Sequence, residues 1–176
     1  MDRSNIVLVG FMGTGKTATA RLVARRLERQ LIDMDAMIEA REGQKVSRIF
    51  AEKGEAYFRG CERNLVRELA ERRNLVIAAG GGVVINPENI SDFSRSGVVI
   101  CLKASPEAIL RRVGAETHRP LLEGDDKGRR IIEVLDSRRP LYDAIPHQID
   151  TSHLTPDLAA ARVIAIYEQA DTGIRS

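Results

Sequence analysis

A chain of 176 residues with 43% hydrophobic side chains can bury one substantial core and has the length of a single domain. Its 27 basic and 25 acidic side chains nearly cancel, without a long block of either sign, which removes the electrostatic case for a nucleic acid or an anionic membrane as partner. Two cysteines, Cys61 and Cys101, and three scattered histidines fit neither a disulfide framework nor a zinc site, and the absence of a secretion signal or a long apolar span leads us to expect a cytoplasmic protein.

The first predicted strand covers residues 5–9 and runs directly into Gly10-Phe11-Met12-Gly13-Thr14-Gly15-Lys16-Thr17, which spells G-x-x-x-x-G-K-[ST] ahead of a helical pattern. In such a loop the glycines let successive N–H groups turn toward phosphate oxygens, Lys16 adds a mobile positive charge, and the Thr17 hydroxyl can ligate Mg²⁺. The helix that follows aims its positive end at the same anion. The alternative is a glycine-rich turn between a strand and a helix, but strand, loop and helix arrive in the order that the phosphate-binding reading requires.

Further apolar runs read as buried strands near 30–33, 75–79, 98–102 and 147–150, with helical patterns between them. That alternation predicts an α/β fold with a parallel sheet covered by helices on both faces, and ligands at the carboxyl ends of the strands. Between the second and third strands lies a long helical insertion, about 34–71, broken at Gly43 and Gly54 into a short helix over 47–53 and a longer one over 55–71. Ser105-Pro106-Glu107 and Thr155-Pro156-Asp157 read as helix starts. The segment 114–127 reads as a mobile loop, Cys101 as a core thiol, and the chain from about Asp171 as frayed.

The residues beyond the phosphate loop narrow the chemistry. No N-K-x-D or T-K-x-D segment favours a GTPase, and no strand ends in the Asp-Glu pair of motor-type ATPases. The second strand ends instead in Asp33-Met34-Asp35, two carboxylates that can serve different ligands. Asp33 is placed to hold Mg²⁺ through water, and Asp35 to orient an acceptor hydroxyl and take up its proton. The competing reading is that one of them, Asp35 more than Asp33, merely caps the next helix. The third strand ends in Gly80-Gly81-Gly82, which permits close backbone approach by a ligand, although a plain sharp turn is the alternative.

Taken together, the loop G-F-M-G-T-G-K-T, the pair D-M-D, the segment F-R-G-C-E around Arg59, the triple glycine, R-P-L-L at 119–122 and R-R-P-L-Y at 138–142 resemble shikimate kinases, a branch of the nucleoside-monophosphate-kinase-like P-loop group. The resemblance covers almost the whole chain. It implies a single-domain, three-layer α/β/α P-loop kinase with a five-stranded parallel sheet in the order 2-3-1-4-5, a helical substrate-binding insertion and a lid at about 113–127. It also implies ATP as co-substrate with Mg²⁺, shikimate as acceptor, and a monomer. By the same resemblance Asp35, Arg59, Gly81 and Arg138 contact shikimate, while Gly13, Thr14, Gly15, Lys16, Thr17, Ala18, Arg112 and Arg119 hold the nucleotide. Thr17 and Asp33 serve the metal, and Asp35, Lys16 and Arg119 are catalytic.

Physical chemistry supports those assignments. Two guanidinium groups can fork onto one carboxylate, Arg112 can stack on a base, and a lid arginine arriving with closure neutralises charge as it develops. Arg111 remains the one-residue alternative to Arg112. Glu62 stands three residues after Arg59 and can hold its guanidinium in place. Thr17, Met34 and Gly60 depart from the commonest family pattern without removing a functional group. A gluconate-type kinase of the same fold and a non-catalytic nucleotide-binding module remain the rival readings.

Overall fold

The computed structural model describes residues 4–116 and 126–174, the last four as backbone alone. Five strands, β1 (Asn5–Val9), β2 (Gln30–Asp33), β3 (Leu75–Ala78), β4 (Gly97–Lys103) and β5 (His147–Asp150), form one sheet in the order β2-β3-β1-β4-β5. Every neighbouring pair is parallel, so each connection crosses over through helix. The helices are α1 (Lys16–Arg26), α2 (Met34–Glu42), α3 (Val46–Lys53), α4 (Glu55–Ala70), α5 (Pro87–Ser96), α6 (Pro106–Glu116), α7 (Asp126–Asp143) and α8 (Pro156–Ile174).

Side chains on a strand alternate between faces, and β1 divides its apolar residues accordingly. Val7 and Val9 join Phe58, Leu65 and Phe93 in one core, while Ile6 and Leu8 join Val23, Ala160 and Val163 in the other. Both faces of the sheet are therefore dry and helix-covered. The strands β1, β3 and β4 are buried along nearly their whole length. The expectation of buried strands fails at the margins, because β2 and β5 are edge strands on which Ile32 and Ile149 alone are buried.

Local signals act where they were expected. Ser105 Oγ accepts from Ala108 N at 3.2 Å and Thr155 Oγ1 from Leu158 N at 3.3 Å, opening α6 and α8. The insertion breaks at Gly43 and Gly54 into three helices. Two expectations are corrected. The polar segment 114–127 is not wholly loop, since α6 continues through Glu116 and α7 begins at Asp126. The chain from Asp171 is still helical as far as Ile174, where α8 ends.

The strand order reverses beside β1, whose neighbours β3 and β4 lead away in opposite directions. A crevice opens at the carboxyl ends there, and the loop after β1 fills its floor. Gly10 is forced by that placement: a Cβ on it would lie 2.3 Å from the Leu102 carbonyl oxygen, and its φ is +145°.

Candidate active site

The loop from Gly10 to Thr17 turns back over β1 and delivers α1 with its N-terminus facing the crevice. Gly15 caps α1 without a side chain, which leaves the first-turn N–H groups of Lys16, Thr17 and Ala18 available to an anion. Lys16 Nζ donates to the carbonyls of Gly10 at 2.7 Å and Phe11 at 2.9 Å, arching over the loop. Burial lowers its pKa to about 8, against the opposing pull of Asp35, Cys101 and Asp33. Thr14 is buried and spends its hydroxyl on Phe11 O, so its part in the loop is to hold the turn.

One cleft of about 560 Å³ is lined by most of the predicted nucleotide residues, Gly13 through Ala18 and Arg112, together with the metal candidate Asp33 and the acceptor candidates Asp35 and Gly81. Of the two adjacent arginines, Arg112 faces the cleft. Its Nη1 donates to Gly13 O at 3.0 Å and its Nη2 to Thr151 O at 2.5 Å, tying the phosphate loop to the loop after β5. Arg111 is exposed and does not line the cleft. Arg119 and the R-P-L-L segment lie outside the described residues.

Thr17 Oγ1 donates to Asp33 Oδ2 at 3.2 Å. Two hard oxygens at that spacing, exposed to the cleft, suit Mg²⁺, which keeps several waters and takes few protein ligands. Asp33 also does what was assigned with greater weight to Asp35: its Oδ1 accepts from Ala36 N at 3.0 Å and caps α2. The competing cap reading was therefore attached to the wrong carboxylate. In an extended strand, residues two apart share a face. Because α2 begins at Met34, the chain leaves the extended form between the two aspartates.

Asp35, in the first turn of α2, lines the same cleft as Asp33. Burial raises its pKa, Asp33 adds to the rise, and Lys16 opposes it. A Cβ on Gly80 would lie 2.8 Å from Asp35 Oδ1 and 3.1 Å from Glu62 Oε1, while one on Gly82 would lie 2.3 Å from Arg59 Nη2. The room beside Gly80 and Gly82 is thus occupied by the protein's own side chains, which a Cβ would displace. The reading that the triple glycine makes room for a ligand is corrected at Gly80 and Gly82, whereas Gly81 lines the cleft.

Arg59 comes from α4 and donates through Nη1 to both Glu62 oxygens, at 3.0 and 3.2 Å. The Glu62 side chain is 2% exposed, and burial raises its pKa against the pull of Arg59 and, more weakly, Arg138. The Arg59 guanidinium carbon also lies 5.8 Å from the centre of the Phe50 ring and 5.3 Å from that of Phe58, so two aromatic faces flank the charge. Arg138, on α7, stands close enough to act on Glu62 and on the buried Tyr142 hydroxyl. Residues 35, 59 and 80–82, from three separate segments, therefore meet beside the phosphate loop, with Arg138 near enough to influence Glu62 and Tyr142. Sequence reasoning missed the flanking phenylalanines and Tyr142. The apolar periodicity around Arg59 and the terminal tyrosine of R-R-P-L-Y were the available signals, but each also fits ordinary core packing.

The family model described as shikimate kinase matches residues 12–168 of the chain. The chain belongs to the shikimate kinase family. A shikimate kinase of Pelotomaculum thermopropionicum is 48% identical over 160 residues, covering 91% of this chain and 93% of that protein. The solved structure of a shikimate kinase from Acinetobacter baumannii in complex with shikimate superposes with a TM-score of 0.85 at 32% identity, over 96% of this chain and 94% of that one. A gluconokinase from Sinorhizobium meliloti shares the fold alone, with a TM-score of 0.64 at 14% identity over 98% of this chain and 95% of that one. Membership in the shikimate kinase family makes the chain an ATP-dependent phosphotransferase. Among the described residues, no helix is long and apolar enough to cross a membrane.

Proposed function

We propose that this chain transfers the γ-phosphoryl group of ATP to the 3-hydroxyl of shikimate, giving shikimate 3-phosphate and ADP on the route to chorismate and the aromatic amino acids. The observation that carries the reading is the meeting of Arg59 and Asp35 around Gly80–Gly82, with Arg138 near enough to influence Glu62, beside the open N-terminus of α1. A small acid with one carboxylate and several hydroxyls matches that set. The guanidinium groups of Arg59 and Arg138 fork onto the carboxylate, and Gly81 and Asp35 read hydroxyls.

In this reading the residues act by positioning and charge. The N–H groups of residues 13–18 and the Lys16 ammonium hold the triphosphate, and Lys16 leaves its two loop carbonyls for phosphate oxygens. Asp35 aligns the attacking hydroxyl and accepts its proton. Its raised pKa makes it a better base than an exposed aspartate. Thr17 and Asp33 would hold Mg²⁺, which when bound supplies neutralisation of the phosphate oxygens. Arg112 borders the base, and Arg119 is assigned to the transferring phosphoryl group on closure. We also read residues 1–176 as one domain that acts as a cytoplasmic monomer on small molecules, with neither nucleic acid nor membrane as partner, a reading supported by the near-balance of 27 basic and 25 acidic side chains.

The test is ADP release by the purified chain with ATP and Mg²⁺, with shikimate, gluconate or no acceptor added. Shikimate-dependent release, with the product phosphorylated on the 3-hydroxyl, is expected. Release with gluconate instead would replace the acceptor, and no acceptor-dependent release would favour a non-catalytic nucleotide-binding module.

A further inference from the structure

Three consecutive glycines have no side chains with which to hold their own conformation, so the shape of this wall must be imposed from outside. Two of the three carbonyls are held by the local turn: Gly80 O accepts from Val83 N at 3.1 Å, and Gly82 O accepts from Ile85 N at 3.0 Å. The carbonyl between them points away from that turn. It accepts from the Tyr142 hydroxyl at 2.5 Å, across 61 residues of sequence.

Tyr142 is built to make that bond. It lies on α7, one turn beyond Arg138, and is 3% exposed. Its ring meets Phe11 of the phosphate loop edge-on, with centroids 6.5 Å apart and planes at 73°. Burial pushes the phenol up to about 12, so the hydroxyl keeps its proton and remains a donor throughout the working pH range. The peptide it grips joins Gly81, which lines the cleft, to Gly82, against whose Cα the Arg59 guanidinium lies.

We infer that Tyr142 is a positioning residue for the acceptor: its hydroxyl fixes the Gly81–Gly82 peptide and, with it, both the Gly81 face of the pocket and the backbone surface that seats Arg59. The helix that carries Arg138 thereby also sets the glycine wall that Gly81 presents to the cleft. The acceptor's identity rests on the shikimate reading above, whereas the grip on the peptide does not.

Tyr142→Phe removes the hydroxyl and keeps the ring against Phe11, and Tyr142→Leu removes both. For Tyr142→Phe we expect KM for shikimate to rise about three- to tenfold, the range for losing one neutral hydrogen bond. We expect kcat and KM for ATP to change by less than about twofold, because the groups around the phosphates are untouched. Amide hydrogen exchange at residues 81–83 in the ligand-free chain should quicken. Tyr142→Leu should add a fall in thermal stability. An unchanged acceptor KM with unchanged exchange in Tyr142→Phe would overturn the inference, as would an equal rise in KM for both substrates, which would mean general loosening. If the unmodified chain proved inactive on shikimate, the acceptor reading would fail by itself, and the exchange measurement would still decide whether the hydroxyl holds the peptide.

Discussion

Arg59 lies so close against Gly82 that a Cβ there would come within 2.3 Å of its Nη2. The φ of Gly82 is −96°, so alanine is acceptable to the backbone and the conflict falls on the guanidinium. Gly82→Ala should therefore fold normally but displace Arg59, raising KM for shikimate about tenfold or more through weakened charge-assisted hydrogen bonds. Gly60, one residue along α4 from Arg59, has nothing within 4 Å of a would-be Cβ. Gly60→Ala should instead stabilise the helix by up to about 1 kcal/mol. Thermal melts and acceptor kinetics on the two variants separate these opposite outcomes.

The cap that Asp33 makes and the metal role proposed for it can be taken apart. Asparagine is as good a helix cap as aspartate but lacks the charge. Asp33→Asn should keep the melting temperature within a degree or two of the parent, by the near-equality of those caps. It should raise the Mg²⁺ concentration needed for half-maximal activity about tenfold or more, the scale for losing a group that orients a metal's ligands. Asp33→Ala should show the metal defect together with loss of about 1 kcal/mol of stability. Magnesium titrations and melts on both variants provide the check.

The role proposed for Asp35 is that of a carboxylate base, and it has no structural duty comparable to the cap made by Asp33. Asp35→Asn should lower kcat about 100-fold or more, the usual scale of general base catalysis, while ATP affinity stays nearly constant. Single-turnover assays with equilibrium nucleotide binding measure both. Full single-turnover activity in that variant would remove Asp35 from its role.

The insertion is clipped to α5 through Arg63, whose Nη1 donates to Asp92 Oδ2 at 2.6 Å. That hydrogen bond, ahead of the charges of Arg63 and Arg95, holds Asp92 below its ordinary pKa of 3.8. A carboxylate depressed in the folded state adds stability above its unfolded pKa, and that contribution is lost as pH falls through the folded value. Asp92→Asn should thus melt below the parent at pH 7, and the gap should narrow as the pH drops beneath 3.8. Melting temperatures across about pH 2.5 to 7, on both sides of that value, test the sign.

The legible part of the site was the part made by neighbours in sequence. The phosphate loop, the Ser105 and Thr155 caps, the breaks at Gly43 and Gly54 and the Arg59–Glu62 pair all depend on residues within a few positions of one another. The misread part depended on where a turn occurs or on what packs from afar. Asp33 became the cap because helix begins at Met34, and the space beside Gly80 and Gly82 was taken by side chains from α2 and α4.

The order of residues along the chain was enough to determine the parallel α/β plan and the anion-binding turn, since strand period, glycine placement and capping are local properties of the backbone. Which charges face one another, which of Arg111 and Arg112 turns inward, and what grips the Gly81 carbonyl were decided by folding alone. Those contacts join segments tens of residues apart, and their geometry exists only after the two hydrophobic cores have set the strands and helices in register.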